Sequence, residues 1–480
     1  MAGSAAQTLT INGANFQSGS TVTYNGVPHT ADFISSTELE ISLSAGDLAL
    51  AGTDPVVVTN AAPGGGASNS VKFTVAIRRI DFSTLPDTIS TNLGTFFVSG
   101  STNPGNTVIV NGTILTLDDV GNFVTPVSLV NGPNQIELDI QSQSGTQSFV
   151  KTITFDPAFS TADRKLLYVS SIAGAFSGTI VIDPDNRSFL GFIPDKHVRG
   201  ISPDGSRLYM DDLSVVSTAT HQALPSPSSP LAFSQSIPSD GFLVSPDGTM
   251  LYSRDEVLDV ATNQLSATRL PLNIETGWAY AGPNQGGPAI SPDGRYIFCG
   301  NGSVNHVQRI DTSNNSSFDT GIAIFPWLSD LTLSPDGKTL LMSAYWNGDQ
   351  IYDATSFNLL LGPLSFGDFS GQAVVSSDGS FAVFGNAGNP QLQGGELVVV
   401  DLHSLTPLTA VSLDLADHVV ISSQNVVFAS SGDTPGVDAL SLGATGELQS
   451  QTHFVLGINQ FLLAYGAPQR DEIEKIVLKE

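Results

Sequence analysis

The stretch Ile201-Ser202-Pro203-Asp204-Gly205-Ser206-Arg207-Leu208-Tyr209-Met210 decides the fold, because close copies of it recur through the C-terminal two thirds of the chain. Four copies begin with Ser-Pro-Asp-Gly and a fifth with Ser-Ser-Asp-Gly, at intervals of 43, 46, 43 and 42 residues. The five copies begin at Ser202, Ser245, Ser291, Ser334 and Ser376. Degenerate copies around Asp163 and Ser422 extend the array to seven units.

A period of about 40 to 45 residues with several short strands per unit predicts a β-propeller, in which one blade cannot bury its faces without its neighbours. The four-residue word has a mechanical role in such a blade. Proline presets φ for a type I turn, aspartate tolerates the next position and glycine completes the reversal between an inner apolar strand and the following strand. We therefore interpret the word as a turn and not as a functional site.

Five of the units also contain a later strand that ends in aspartate, and this aspartate is expected to accept hydrogen bonds from its own turn. The copies are Ile182-Asp183, Leu258-Asp259, Ile310-Asp311, Tyr352-Asp353 and Val400-Asp401. Together the two words resemble the YVTN (surface-layer type) family of seven-bladed β-propellers over roughly residues 160–468. The resemblance implies a fold and no single function, because related rings serve as binding modules, scaffolds and enzymes.

A closed ring needs a strand that completes the first blade. The run Phe461-Leu462-Leu463-Ala464-Tyr465 is apolar and follows the seventh unit. We expect this run to pair with the first blade, so that the end of the chain closes the ring.

The first 76 residues contain short strands separated by turn signals, among them the hairpin dipeptide Asn25-Gly26. Ile11-Asn12-Gly13-Ala14-Asn15-Phe16 and Val22-Thr23-Tyr24-Asn25-Gly26 resemble an IPT/TIG immunoglobulin-like domain, as does the closing segment 58–69. Such domains normally have one more strand before the position of Ala2. We therefore expect a missing first strand, an export signal further upstream, and an unpaired sheet edge that leaves self-assembly through the Ig-like domains open.

Residues 77–157 contain a second set of strands with turn signals about every ten residues, a spacing that suits a small sandwich. They are similar to the bacterial Ig-like modules that separate surface and catalytic domains. The acidic pair Asp118-Asp119 is interpreted as a solvated turn in preference to a cation site. The predicted fold is all-β, with an IPT/TIG sandwich at 1–76, a second Ig-like sandwich at 77–157 and a seven-bladed β-propeller at 158–480.

The composition agrees with short strands and turns, since 47 Gly and 27 Pro punctuate a chain that is 40% hydrophobic and 13% charged. A formal net charge of −27 disfavours nucleic acid as a partner. The sequence contains no run of about 18 apolar residues, so it predicts no membrane span, and the N-terminus shows no signal peptide. The single cysteine, Cys299, lies in an apolar run and is interpreted as a small buried residue.

Candidate ligand-binding residues fall on the face opposite the Ser-Pro-Asp-Gly turns, where the connections between strands are long. Aromatic side chains on this face suit sugar rings or a protein partner, although Trp327 is favoured as a packing residue. They are Trp278, Tyr280, Trp327, Tyr345 and Trp346. Polar residues precede the inner strands at the mouth of the central channel, where a ligand site and a water-filled channel are both open. They are His197, Arg199, Asp240, Asp330, Asp417 and His418, with Gln285, Gln372 and Asn459 beside them.

Two function classes follow. We favour a non-catalytic extracellular or cell-envelope protein of bacterial type, in which the Ig-like domains space a propeller that binds a glycan or a protein. The alternative is a propeller hydrolase or lactonase-like enzyme with a metal or acid/base site at the channel mouth. The seven histidines are scattered without metal spacing, so we assign no catalytic residue, no metal ligand and no cofactor. Calcium held by aspartates from three blades, Asp240, Asp330 and Asp417, stays open.

Overall fold

The computed structural model describes residues 4–48, 51–62, 65–171, 177–237, 242–272, 274, 287–301, 303–324, 327–345, 348–364, 370–386, 395–413, 416, 418–431, 436–456 and 473–480. These residues form β-strands joined by turns, with a single turn of 3-10 helix at Phe82–Thr84. The described part of the chain contains no α-helix, and therefore no helix long and apolar enough to cross a membrane.

The N-terminal sheet pair has one sheet in the order β1-β5-β4 and a second in the order β3-β2-β6-β7, with β8 also paired to β6. Its core contains Val22, Tyr24, Leu39 and Ile41, which alternate with exposed or half-buried residues along their strands. The hairpin at Asn25-Gly26 forms with positive φ at both residues, as predicted. The strands are β1 Gln7–Asn12, β2 Thr21–Tyr24, β3 Val27–His29, β4 Ala31–Ser35, β5 Glu38–Leu43, β6 Gly52–Asn60, β7 Gly66–Ala67 and β8 Val71–Val75.

The second sheet pair combines a sheet in the order β10-β16-β15-β12-β13 with the two-stranded sheet β11-β14. Strand β9 precedes this pair in sequence but joins another sheet, described below. The strands are β9 Arg78–Ile80, β10 Thr88–Thr91, β11 Thr95–Ser101, β12 Thr107–Val110, β13 Thr113–Leu115, β14 Asn122–Ser128, β15 Gly132–Ser142 and β16 Gly145–Phe155. The acidic pair lies in the turn before β14, where Asp118 accepts hydrogen bonds from the backbone of residues 120 and 122.

In the described part of the chain, seven further sheets follow one another along the sequence, and we call this series the sheet ring. Their orders are β43-β17-β18-β19, β20-β21-β22, β23-β24-β25-β26, β27-β28-β29-β30, β31-β32-β33-β34, β35-β36-β37-β38 and β39-β40-β41-β42-β9. The strands are β17 Leu166–Ser171, β18 Gly178–Asp183, β19 Ser188–Pro194, β20 Val198–Ile201, β21 Arg207–Met210, β22 Val215–Ser217, β23 Phe242–Val244, β24 Met250–Ser253, β25 Glu256–Asp259, β26 Gln264–Leu265, β27 Ala289–Ile290, β28 Tyr296–Asn301, β29 His306–Asp311, β30 Ser316–Ala323, β31 Trp327–Leu333, β32 Thr339–Tyr345, β33 Asp349–Asp353, β34 Leu359–Leu364, β35 Ser370–Val375, β36 Phe381–Asn386, β37 Glu396–Asp401, β38 Thr406–Ser412, β39 Val419–Ile421, β40 Val426–Ser431, β41 Gly436–Leu442, β42 Leu448–Val455 and β43 Ile473–Lys479.

The last strand of the chain closes the ring. Strand β43 pairs antiparallel with β17, and it also contacts the inner strands β20 and β39 of the sheets on either side. A strand from the end of the chain therefore completes the first sheet. The strand that does so is β43, whereas the predicted segment Phe461–Tyr465 lies outside the described residues.

The Ser-Pro-Asp-Gly words form turns of one geometry, and the copy at Ser334 shows it. The Ser334 hydroxyl donates to Asp336 Oδ1 at 2.6 Å and accepts from the backbone N–H of Thr339 at 3.0 Å. Gly337 has φ of 71°, a left-handed conformation that favours glycine. Hydrogen bonds from Ser334 and from the backbone of Lys338 lower the pKa of Asp336 to about 2. The word is therefore a self-contained turn, as its sequence predicts.

The second sheet pair is attached to the outer edge of the ring. Strand β9 adds in parallel to β42, the Ser99 hydroxyl donates to the Val455 carbonyl at 2.6 Å, and the rings of Phe97 and Phe189 meet edge to face at 5.9 Å. One continuous hydrophobic cluster includes residues of this pair and of the first and last ring sheets. The main contacts of the pair with the ring are thus with the outer strands β19 and β42.

A buried polar network, which we call the joint, lies in the same interface. Asn92 is 2% exposed, and its amide nitrogen donates to the carbonyls of Phe159 at 2.7 Å and Ala219 at 3.0 Å. Its oxygen lies 2.7 Å from Nδ1 of His221, whose Nε2 lies 3.1 Å from the Tyr168 hydroxyl. The joint therefore gives hydrogen-bond partners to both polar atoms of the Asn92 side chain, from two parts of the chain.

Candidate functional site

The ends of the strands opposite the Ser-Pro-Asp-Gly turns form what we call the mouth face. In the first two ring sheets this face contains the start of β18, the start of β20 and the end of β21, because neighbouring strands run in opposite directions. These three positions bring Ser177, His197 and Asp211 together. They lie on the face to which the sequence assigned function.

His197 lies between the two other residues. Its Nε2 is 3.0 Å from Ser177 Oγ, and its Nδ1 is 2.9 Å from Asp211 Oδ2. His197 is 8% exposed, and Ser177 is half-buried at the surface. A hydroxyl, an imidazole and a carboxylate thus form one linear hydrogen-bonded set, which we call the mouth triad.

The backbone around the mouth triad fixes its geometry. The Thr179 hydroxyl donates to the carbonyl of Lys196 at 2.7 Å and accepts from the N–H of Val198 at 3.1 Å. It therefore bonds to the backbone of the residues before and after His197. The N–H of Asp195 donates to the Ser177 carbonyl at 2.9 Å. Side chain and backbone bonds together hold the first two ring sheets at the distance that the serine–histidine contact needs.

Gly178 allows the chain to reach this position. Its φ is 152°, and a Cβ atom at this residue would lie 2.4 Å from the Ile193 carbonyl oxygen and 2.6 Å from the ring of Phe192. A larger residue would push β18 away from β19. Glycine is therefore required directly after the serine.

Asp211 is oriented by the backbone. Its Oδ1 accepts from the N–H groups of His197 and Asp212, both at 3.0 Å, which leaves Oδ2 directed at the imidazole. Burial alone would raise the pKa of Asp211, but the hydrogen bonds from His197, with the charge of Arg199 nearby, hold it below its ordinary value. The carboxylate is therefore ionised at neutral pH.

Cationic side chains flank the mouth triad. Lys196 pairs with Asp212 and donates to the Ser214 hydroxyl at 2.8 Å. Arg199, two residues after His197 on β20, is 7% exposed. The two sequence-predicted residues thus lie in one polar site next to a carboxylate, with His197 directly before β20 and Arg199 on it.

The other predicted channel residues link inner strands to one another. Asp330 is 9% exposed, and its Oδ2 accepts from the Thr332 hydroxyl at 3.1 Å and from the Ala373 N–H at 3.3 Å. The Gln372 side chain accepts from the N–H of Val419 at 3.4 Å. Asp330 and Gln372 therefore join the fifth, sixth and seventh sheets of the ring.

His418 begins the inner strand of the last sheet. It is 9% exposed, and its backbone N–H donates to the Ser430 hydroxyl at 3.2 Å while its carbonyl accepts from the Ser430 N–H at 2.9 Å. Within the described ranges, no group of three or more His, Cys, Asp or Glu side chains could hold a metal ion.

Most of the predicted aromatic site lies outside the described residues. This holds for Trp278, Tyr280 and Trp346, and for the polar candidates Asp240, Gln285, Asp417 and Asn459. The backbones of Trp327 and Tyr345 are described, and these two residues are opposite each other on β31 and β32 at the mouth end of the fifth sheet. The backbone thus brings two of the five aromatic candidates together.

Sequence reasoning found His197 and missed its two partners. Ser177 precedes His197 by 20 residues and Asp211 follows it by 14, and neither lies in a recognisable nucleophile motif. The available signal was positional: each residue lies at a mouth-face end of a predicted strand. The single cysteine, by contrast, is buried as predicted, and burial raises its pKa to about 12.

Comparison with known proteins identifies the N-terminal sheet pair. Residues 1–75 match the family model described as the IPT/TIG domain. The N-terminal sheet pair is an IPT/TIG domain. The resemblance seen in the sequence is confirmed for this part of the chain, and the IPT/TIG domain touches the ring where the N–H of Ala51 donates to the Ser450 carbonyl at 3.2 Å. No curated protein sequence matches the chain.

Three solved structures that are similar to the chain have low sequence identity to it. Kuenenia stuttgartiensis hydrazine synthase is 15% identical with a TM-score of 0.33, and the match covers 53% of this chain and 66% of that one. A putative 6-phosphogluconolactonase from Bacteroides fragilis is 14% identical with a TM-score of 0.45, covering 67% and 99%. The Cps50 (Swd1) β-propeller domain of Myceliophteria thermophila is 13% identical with a TM-score of 0.36, covering 46% and 73%.

Proposed function

We propose that this chain is a binding and scaffold protein of the bacterial cell envelope or exterior. In this proposal, residues 158–480 are a seven-bladed β-propeller of the YVTN type, residues 77–157 are a second Ig-like domain, and residues 1–76 are the IPT/TIG domain. The propeller binds a glycan or a protein through its mouth face, and the two N-terminal domains act as spacers or assembly units.

The observation that carries this proposal is the attachment of the second sheet pair. It shares a hydrophobic cluster with the outer strands of the ring, and Asn92 and Ser99 add buried hydrogen bonds to ring carbonyls. Such a contact makes the pair and the ring move as one body. A support that is attached to the outer strands β19 and β42 suits a protein that presents its mouth face to a partner.

The chemistry of the mouth loops supports a glycan or protein ligand. The sequence predicts Trp278, Tyr280 and Trp346 in connections on this face, next to Tyr345 at the end of β32. Aromatic side chains supply large apolar contacts with little loss of side-chain entropy. The net charge of −27 disfavours anionic ligands over the whole surface.

A glycan array followed by a protein array, both probed with the full chain, tests the proposal. The double variant Trp278→Ala/Trp346→Ala should lower the affinity for the ligand found by about tenfold or more, because aromatic anchors dominate such contacts. Phe318→Ala is the matched control, since Phe318 is an aromatic residue on the outermost strand β30 with 51% of its surface exposed. Absence of binding on both arrays, or an equal loss in the control, would contradict the proposal.

A further inference from the structure

The mouth triad has an arrangement that binding alone does not require. Ser177, His197 and Asp211 come from two neighbouring sheets and three different strand ends, yet they form a continuous set with contacts of 3.0 and 2.9 Å. Hydroxyl, imidazole and carboxylate in this order are the elements of an activated serine nucleophile.

The hydrogen-bond partners of His197 determine which of its ring nitrogens carries the proton. The ionised Asp211 carboxylate can only accept a hydrogen bond, so His197 Nδ1 must carry the proton of the neutral ring. Nε2 is then the basic nitrogen and accepts from the Ser177 hydroxyl. This is the tautomer in which the imidazole can remove a proton from the serine.

Two other histidine–carboxylate pairs at hydrogen-bond distance among the described residues show what is special about this set. His453 and Asp438 are 3.0 Å apart and almost fully buried, and among the described residues His453 Nε2 has no hydrogen-bond partner. His306 and Asp319 are also 3.0 Å apart, on the exposed side of β29 and β30. Of these three pairs, only His197–Asp211 has a hydroxyl on the second ring nitrogen.

Ser177 is also accessible. It is half-buried, whereas the strand residues that follow it, 178–183, are all buried. The Asp195 N–H and Gly178 hold it at the tip of β18 on the mouth face. Ser177 is therefore the more exposed end of this segment, and it faces the side on which the mouth triad lies.

We propose that Ser177 is the nucleophile of a serine hydrolase site, with His197 as general base and Asp211 as the residue that orients it, acting on small uncharged esters, lactones included. Esters suit the site because their alcohol leaving groups depart more readily than amines. The net charge of −27 disfavours anionic substrates. This activity adds to the proposed binding role and does not depend on it.

The reaction balances with water as its co-reactant. Ser177 Oγ bonds to the acyl carbon while its proton passes to His197 Nε2; the ester C–O bond then breaks, and the leaving alkoxide takes that proton and departs as the alcohol. Water attacks the acyl-serine and gives a proton to Nε2, and Ser177 Oγ recovers this proton as the carboxylic acid is released. Asp211 remains ionised throughout and stabilises the transient imidazolium.

Labelling of the full chain with a fluorophosphonate, followed by mass spectrometry of the digest, tests the proposal. We expect an adduct on the peptide that contains Ser177, no adduct there in Ser177→Ala, and labelling slower by about a hundredfold or more in His197→Gln. Hydrolysis of p-nitrophenyl acetate should fall to the same extent in both variants. Matched controls are Ser148→Ala, an exposed serine bonded to Asp139, and His306→Gln; both should label like the unchanged chain.

A second variant separates chemistry from folding. Ser177→Cys keeps a small nucleophile in place, and iodoacetamide should alkylate its thiol faster than the same thiol in Ser177→Cys/His197→Gln, because the imidazole promotes the thiolate. An unlabelled Ser177 in the unchanged chain, or rates that do not respond to His197, would overturn the proposal. Ester hydrolysis that survives in Ser177→Ala would also overturn it.

Discussion

His197 at the mouth and His221 in the joint are held in similar ways by chemically different partners. Both are largely buried, at 8% and 7% exposure, and in both the Nδ1 atom contacts a side-chain oxygen. That oxygen belongs to the Asp211 carboxylate at the mouth and to the Asn92 amide in the joint. A carboxylate stabilises a protonated imidazole and an amide oxygen does so far less. The mouth histidine is thus suited to exchange protons, and the joint histidine to remain neutral.

The Nε2 atoms of His197 and His221 also have partners that differ in exposure. His197 Nε2 contacts the half-buried Ser177 hydroxyl, whereas His221 Nε2 contacts the hydroxyl of Tyr168, which is fully buried and whose pKa is raised by burial. Ser177 is partly exposed to solvent, and Tyr168 is fully buried. Similar hydrogen-bond geometry therefore serves chemistry in one place and cohesion in the other.

The largest effect is expected when His197 receives an amide partner, as His221 has in the joint. Asp211→Asn should slow fluorophosphonate labelling of Ser177 by about a hundredfold or more, because an amide neither stabilises the imidazolium nor enforces the tautomer. The labelling rate measures this directly. Labelling at the rate of the unchanged chain would show that the carboxylate has no role in activating Ser177.

A second variant removes Asn92, the side chain that links the other residues of the joint. Asn92→Ala removes the side-chain partner of the Phe159 carbonyl and of one His221 nitrogen, and one of the donors to the Ala219 carbonyl, which keeps its bonds from Thr161. The free energy of unfolding should therefore fall by about 3 kcal/mol. Urea unfolding measures the change, with the exposed Asn314→Ala as the matched control. A loss no larger than that of the control would show that the joint is not a major source of cohesion.

The pH dependence of stability should report on His221. Burial, and then the Lys479 charge, lower its pKa from 6.5 to about 4, so between these values the unfolded chain binds the additional proton. The stability contributed by the neutral ring is complete above pH 6.5 and is lost as the pH falls through about 4, a change on the order of 2 to 3 kcal/mol. Urea unfolding of His221→Gln at about pH 7 and about pH 4 should lack this part of the decline. A decline as steep as in the unchanged chain would contradict it.

The smallest effect is expected at the far end of the ring, away from both histidines. Ser334→Ala removes the hydroxyl that makes two hydrogen bonds within one turn. The free energy of unfolding should fall by about 1 kcal/mol, while the rate of fluorophosphonate labelling of Ser177 stays unchanged. Thermal unfolding and the labelling rate measure the two outcomes. Slower labelling in this variant would mean that the turns and the mouth are coupled.

The sequence predicted the regular parts of the fold, because they rest on local rules. The five Ser-x-Asp-Gly turns, the Asn25-Gly26 hairpin and the aspartates that accept from their own turns depend only on residues close in sequence. The closing strand was missed because Ile473–Lys479 carries charged residues. Lys479 is nonetheless 4% exposed, and its ammonium donates to the carbonyls of Thr161 and Ala162. Hydrophobicity pointed to another segment, and only long-range contacts could correct it.

The same limit explains the candidate site. His197 could be chosen from sequence because it directly precedes a predicted inner strand. Ser177 and Asp211 could not, since their relation to His197 depends on which strands of two neighbouring sheets end at the same face and on the spacing set by Thr179. Non-local pairing of this kind leaves no pattern in the residues themselves.

The tautomers of His197 and His221, read from nitrogen-15 NMR of the imidazole rings at neutral pH, test the account most directly. His197→Gln and His221→Gln assign the two signals. The account predicts a proton on Nδ1 of both rings, because Asp211 and the Asn92 oxygen can only accept. A proton on Nε2 of His197 would contradict it, since Ser177 would then face a donor and could not pass its proton to the ring.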